Sequence, residues 1–271
     1  MIWPQYRFLF PAILLIAGCF ALPFPASAQV STRQPVLVEL FTSEGCSSCP
    51  PADQFLMALD RAENIPGARV IVLSEHVDYW DHDGWHDPWS SEEMTERQTA
   101  YTSQFRQDSN YTPEAVIDGA QGITANNRPA VVAAIEEAAK HPSIAITIAD
   151  VNWSDGKATA TITTTETAKA DLYATLADDH DQSNVLRGEN SGHQLEHVAV
   201  VRVMKKVGSL DHPFNRPIAI PFSGNKQQKP MRLVVFAQDR RTGRILGVAE
   251  VPAQPSSPPA PAVAQAQMPA K

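Results

Sequence analysis

The sequence predicts an α/β domain at residues 35–141 followed by an all-β, sandwich-like domain at residues 143–251. Three observations predict it. Continuous apolar runs alternate with helical patterns through the first half. The second half holds short alternating segments and frequent turn signals, with no convincing helix. A cysteine pair, Cys46-Ser47-Ser48-Cys49, stands between the first strand and the first helix.

The elements follow in order. Val36 to Phe41 is a continuous apolar run, the pattern of a buried strand. Pro50 and Pro51 carry no N–H, so both belong in the first turn of the helix at about 49–62. Ala68 to Ser74 is a second buried strand of the parallel kind. Ser90 as N-cap and Glu93 at N3 form a capping box for a helix running to Phe105. Thr112 to Gly119 reads as a short strand closed by an Asp-Gly turn, with Gly122-Ile123-Thr124 as its hairpin partner. Pro129 opens a helix with Val131, Val132 and Ile135 on its apolar stripe, and His141-Pro142 ends it. Beyond that point Ile144 to Ile148, Ala158 to Ile162, Leu172 to Leu176, His197 to Met204, Pro217 to Phe222, Leu233 to Ala237 and Ile245 to Val251 are strand candidates. Asp155-Gly156 and Thr242-Gly243 are expected hairpin turns.

The two ends read as non-globular. Residues 1–28 form a signal peptide, with an apolar run from Phe8 to Leu22 and a small-residue site at Ala26-Ser27-Ala28. Cleavage after Ala28 puts the mature chain in the periplasm or outside the cell. A competing reading places a lipid on Cys19 of Ile16-Ala17-Gly18-Cys19, which would tether the chain to a membrane. Residues 252–271 form a Pro/Ala-rich tail with the composition of a disordered segment. The formal charge is −8, and loss of Arg7 with the leader leaves 21 basic against 30 acidic residues. That balance argues against nucleic acid as a partner.

The order β-α-β-α-β-β-α, with Cys-x-x-Cys after the first strand, is the thioredoxin topology. The full expectation is thus an α/β thioredoxin-like domain followed by an all-β (sandwich-like) domain. A two-residue spacer closes too small a loop for the bridge to stabilise much, so a redox role is favoured over a structural one. The helix N-terminus stabilises a thiolate. Cys46, just before the helix and nearer the surface, is the expected nucleophile, and Cys49, turned towards the sheet, the resolving thiol. The redox-active disulfide needs no other cofactor, and a protein or small thiol/disulfide is the expected partner. In this topology a proline starting the third strand is cis and faces the cysteines, which assigns Pro113, with Thr112 offering its backbone to an extended substrate. Glu39 is read either as a buried acid relaying a proton for Cys49 or as an outward-facing surface carboxylate. Glu44 would raise a nearby thiol pKa, and no Lys or Arg is adjacent to compensate.

Residues 75–89 crowd together three His, four Asp and three Trp. The segment reads as a substrate lip offering Trp80 and Trp85, as a tryptophan-anchored ordered loop, or as half of a metal site in which His82 and His86 join Cys46 and Cys49. Arg187 to His197 reads as a hydrated connection leading into the strand at Val198.

Glu39 to Asp53, His76-Val77-Asp78-Tyr79-Trp80, Tyr111-Thr112-Pro113 and the stretch from Arg187-Gly188-Glu189-Asn190 to His197 resemble the motifs of a secreted bacterial thioredoxin-like family catalogued as domain of unknown function 1223. The resemblance runs from about Val36 to Val251. It implies redox roles for Cys46, Cys49 and Pro113, and it names no substrate. Gly45 stands where thioredoxins carry an aromatic residue, which sets this chain apart from general thioredoxin-type reductases. The expected function is an exported thiol–disulfide oxidoreductase. The alternatives are a non-catalytic periplasmic copper- or zinc-binding protein and a protein-interaction module.

Overall fold

The computed structural model describes residues 33–62, 65–82, 84–154, 156–222 and 229–253. The leader, Cys19, Asp155 of the expected Asp-Gly turn and the tail from residue 254 lie outside them. The described chain runs β1 (Gln34–Thr42), α1 (Pro50–Asp60), β2 (Ala68–His76), α2 (Glu92–Phe105), β3 (Glu114–Ile117), β4 (Gln121–Thr124), α3 (Arg128–Ala138), β5 (Thr147–Ser154), β6 (Lys157–Thr164), β7 (Ala170–Asn184), β8 (Gln194–Ser209), β9 (Phe214–Pro221), β10 (Met231–Asp239) and β11 (Ile245–Val251).

Eight of these strands form one mixed sheet in the order β11-β10-β7-β8-β2-β1-β3-β4, and β5-β6-β9 form a second, smaller sheet. β1 and β2 are parallel in register from Gln34↔Ala68 to Thr42↔His76. β8 joins β2, also parallel, through Ser74↔Val200.

This architecture overturns the expected fold class. The chain is not an α/β thioredoxin-like domain followed by an all-β domain; it is a β-rich fold with three helices among the described residues. The physical reason lies in β7 and β8. Read locally, Leu172 to Leu176 is a short strand, because the polar run Asp178-Asp179-His180-Asp181-Gln182 breaks the apolar pattern. In the fold β7 continues through that run to Asn184 and pairs with β8 as far as Gln194. The length of this hairpin carries β8 alongside β2, so strands from both halves of the sequence share one sheet.

Two cores result. Val36, Val38 and Leu40 of β1 meet Leu56 and Leu59 of α1 and Val131 and Ile135 of α3. Ala160 and Ile162 of β6 and Ile220 of β9 pack against Leu172, Leu176, Leu233 and Val235 of β7 and β10. Among the described residues, only there does the chain approach a sandwich, and loosely. Successive β1 residues face opposite ways, and Phe41 meets Tyr101 of α2 and Val116 of β3. The start of α2 also differs from expectation. Ser91, not Ser90, is the N-cap and accepts from the Met94 N–H at 3.4 Å. The Ser90 hydroxyl is occupied by Asp81 Oδ2 at 2.8 Å and the Asp87 carbonyl at 3.0 Å.

Candidate functional site

The site forms where β1 ends. Cys46 and Cys49 are joined in a disulfide, with Cα atoms 5.5 Å apart. Cys49 has helical backbone angles and caps α1, whose first turn contains Pro50 and Pro51 as their missing N–H groups require. Ser47 and Ser48 are exposed, but the cysteines are 1% and 0% exposed. The expectation that Cys46 lies nearer the surface is corrected: both sulfurs are equally enclosed.

The enclosing groups come from across the fold. Asn190, in the loop joining β7 to β8, donates its side-chain amide to the carbonyls of Glu44 and Cys46. Glu189 accepts from the Ser47 N–H at 3.0 Å. Asn126, after β4, donates to the Ser48 carbonyl at 2.9 Å. The Arg187–His197 stretch is, as expected, mostly an exposed connection leading into β8, but Asn190 and His197 within it are buried and bound to residues around the cysteine pair.

Thr112–Pro113 is a cis peptide bond. The β1–β3 register, Phe41↔Glu114, puts Pro113 opposite Thr42, at the edge from which the cysteine loop departs. The Thr112 hydroxyl accepts from the Trp80 indole N–H at 2.8 Å. Trp80 in turn packs on Gly45, where an added Cβ would come within 3.0 Å of the Trp80 Cβ. The glycine before Cys46 is thus accounted for by a tryptophan that occupies the space a side chain would need.

Glu39 is fully buried, which excludes the surface reading. Its carboxylate faces α2: Oε1 accepts from Arg97 Nε at 2.6 Å and Oε2 from the Tyr101 hydroxyl at 2.7 Å. Trp85 donates to Glu44 Oε2 at 2.8 Å, so two tryptophans tie the loop at 75–89 down, Trp80 to Thr112 and Trp85 to the residue two before Cys46. His82 and His86 lie elsewhere, with Asp78, Tyr79 and Asp81 lining the same cleft. His86 is bound to Asp81 at 2.6 Å. The four residues Cys46, Cys49, His82 and His86 are not gathered, and among the described residues no cluster of three or more His, Cys, Asp or Glu is arranged to hold a metal ion.

A buried charged network adjoins the cysteine segment, and of its members the sequence reading singled out only Glu44. Glu44 is fully buried; besides Trp85, it accepts from the Ser183 hydroxyl and meets His197 Nε2 at 3.2 Å. His197 Nδ1 faces Asp53 Oδ1 at 3.7 Å. Burial works to lower the His197 pKa, but the carboxylates of Asp53 and Glu44 close to its two ring nitrogens outweigh it and hold the ring up to about 10. Both carboxylates therefore favour the protonated ring. Its ring centroid is 4.6 Å from that of His76 and 5.3 Å from that of Trp89. His76 is bound through Nδ1 to Asp87 at 2.7 Å. Asp53 was the legible clue, a carboxylate four residues after Cys49 on the same helix. His197 ends a segment that resembles a family motif, but nothing in its local pattern tied it to the cysteines.

The family described as "Protein of unknown function (DUF1223)" matches residues 37–238, most of the chain. The chain belongs to the DUF1223 family. Among curated proteins nothing matches. The crystal structure of protein AGR_C_4864 from Agrobacterium tumefaciens superposes with a TM-score of 0.65 at 24% identity, covering 82% of this chain and 96% of that one. This DUF1223 chain therefore shares its fold with that protein. A β-glucosidase from Kluyveromyces marxianus aligns at 11% identity over 41% of this chain and 14% of its own, with a TM-score of 0.19, too low to bear on the fold.

Proposed function

We propose that this DUF1223 protein is an exported thiol–disulfide oxidoreductase whose working group is the Cys46–Cys49 disulfide. The observation that carries the reading is the disulfide itself: two cysteines two residues apart, bonded at the N-terminus of α1. A bridge this short adds little to stability, so its value is chemical. The helix N-terminus favours the thiolate released when it opens. Cys46 takes the incoming thiolate and Cys49 leaves; in the reverse direction Cys49 resolves the mixed disulfide. Pro113 and Thr112 border the loop and line the approach of a protein or small-thiol substrate, with Trp80 fixing Thr112. Export rests on the leader read in the sequence, and the site operates in the periplasm or outside the cell.

Both sulfurs are enclosed, so exchange requires the surrounding loops to part. The test is equilibration of the purified chain with glutathione redox buffers, together with trapping. A Cys49→Ser variant is expected to accumulate a mixed disulfide at Cys46 with a glutathione or protein disulfide, and Cys46→Ser none. A bridge that resists dithiothreitol until the chain unfolds would overturn the reading.

A further inference from the structure

Two buried polar atoms, one on the first turns of α1 and one facing it from β8, lack a hydrogen-bond partner: Asp53 Oδ1 and His197 Nδ1. They face each other at 3.7 Å, an ion-pair separation too long for a hydrogen bond. Buried polar atoms are nearly always paired, so two orphans in one place call for an explanation. Their position relative to Cys49 supplies one. Cys49 has helical backbone angles and Asp53 lies four residues on, so the two share a face of α1 with Cβ atoms about 5–6 Å apart. Helical side chains lean towards the N-terminus, which tips the Asp53 carboxylate towards the turn carrying Cys49. Both residues are buried. Glu39, the acid on β1, is committed to Arg97 and Tyr101 of α2.

Building on the redox reading above, we propose that Asp53 and His197, rather than Glu39, form the proton relay of Cys49. The step balances as follows. A substrate thiolate attacks Cys46 Sγ, the Cys46–Cys49 bond breaks, and its electron pair leaves on Cys49 Sγ. Asp53 passes a proton from His197 to that sulfur. A second substrate thiolate attacks the substrate sulfur of the mixed disulfide, which forms the substrate disulfide and releases Cys46 as thiolate. Two electrons pass from the substrate thiolates to the cysteine pair, and His197 regains its proton from solvent. In the oxidised state Cys49 offers no S–H, and the couple meets as an ion pair in which neither facing atom makes a hydrogen bond. Glu44 as well as Asp53 favours the charged form of His197, and His76, itself bound to Asp87, lies beside the ring.

The relay makes Cys49 titrate as part of a coupled set, and this can be read without turnover. In the full chain carrying Cys19→Ser and Cys46→Ser, Cys49 is the sole thiol, and its thiolate absorbance is followed against pH. Asp53→Asn removes a negative neighbour and is expected to lower the Cys49 midpoint by about one pH unit; His197→Gln removes a positive one and is expected to raise it by about as much. Coincident midpoints in folded variants would overturn the relay. A variant-free measurement guards against misfolding: by NMR, the His197 titration in the Cys19→Ser chain is expected to shift by about one unit between oxidised and reduced protein, and an unchanged midpoint would also overturn it. Failure of the redox reading is separately visible, because glutathione exchange would then be absent whatever these titrations show.

Discussion

The Asn190 side-chain amide donates to the Cys46 carbonyl at 3.0 Å, bridging 144 residues of sequence. The same amide donates to the Glu44 carbonyl at 2.8 Å. One side chain from the β7–β8 loop therefore fixes the chain on both sides of Gly45. Asn190→Ala removes the donor from both carbonyls. The expected cost is about 1–3 kcal/mol, the range for buried acceptors that lose a partner. Urea denaturation of the oxidised chain measures it. Because the sulfurs are enclosed, the same variant is expected to be reduced faster by dithiothreitol under native conditions. Unchanged values in both measurements would mean that the loop does not hold the cysteine segment.

The buried His76–Asp87 pair gives the chain an acid limit. Burial works to raise the Asp87 pKa, but the charge and hydrogen bond of His76 and the N–H groups of Glu44 and Trp89 outweigh it and hold the carboxyl down to about 2, against an ordinary 3.8. A depressed carboxyl contributes stability that is complete above its unfolded pKa and disappears as pH falls through its folded pKa. The contribution, about 2 kcal/mol, is therefore present above about pH 4 and lost between about pH 4 and pH 2. Asp87→Asn is expected to be less stable at pH 6 and to show a flatter stability profile across that window. Denaturation midpoints at a series of pH values check it.

Arg97 is the counterion of a buried acidic pair. Besides Glu39 it approaches Glu75 Oε2 at 3.5 Å, and neither Glu75 oxygen has a hydrogen-bond partner. Burial first, and then the Glu39 charge, push the Glu75 pKa well above the usual carboxylate range. Arg97→Met leaves Glu39 buried and uncompensated, at an expected cost of about 3–5 kcal/mol. Adding Glu39→Gln to Arg97→Met is expected to recover part of that loss, since the stranded charge is removed with its partner. A double-mutant cycle on unfolding free energies measures the coupling.

What could be read in advance was local. The apolar runs at Val36 to Phe41 and Ala68 to Ser74, the paired prolines of α1 and the Asp118-Gly119 turn each encode their own element, and each element is present. The sheet was not legible, because whether β8 pairs with β2 depends on how far the β7–β8 hairpin runs, and the hairpin continues through charged residues that read as its end. The site divides in the same way. The cysteine pair and Pro113 announce themselves by type and spacing. Asn190 and His197 are 144 and 151 residues from Cys46 by their numbering, and only the folded sheet makes them neighbours of its loop. Gly45 shows the converse: its departure from the thioredoxin pattern was plain in the sequence, whereas its cause, Trp80, was not.

Asp118 marks a place where the fold carries an avoidable cost. It follows β3 with φ +45°, and its Oδ1 accepts from the Leu37 N–H at 2.7 Å. Burial is the largest influence and raises its pKa; the Leu37 N–H works against this, the Glu39 charge adds to it, and the result is about 7. The folded value lies above the unfolded one, so the associated stability is complete below about pH 4 and is lost as pH rises through about 7. Asn keeps the oxygen that Leu37 needs, carries no charge to desolvate and tolerates positive φ. Asp118→Asn is therefore expected to match the parent chain near pH 4 and to exceed its stability at pH 8 by about 2–4 kcal/mol. Thermal denaturation at the two pH values decides it: equal gains at both would assign the effect to backbone conformation, and no gain at pH 8 would show that the buried carboxylate costs the fold nothing.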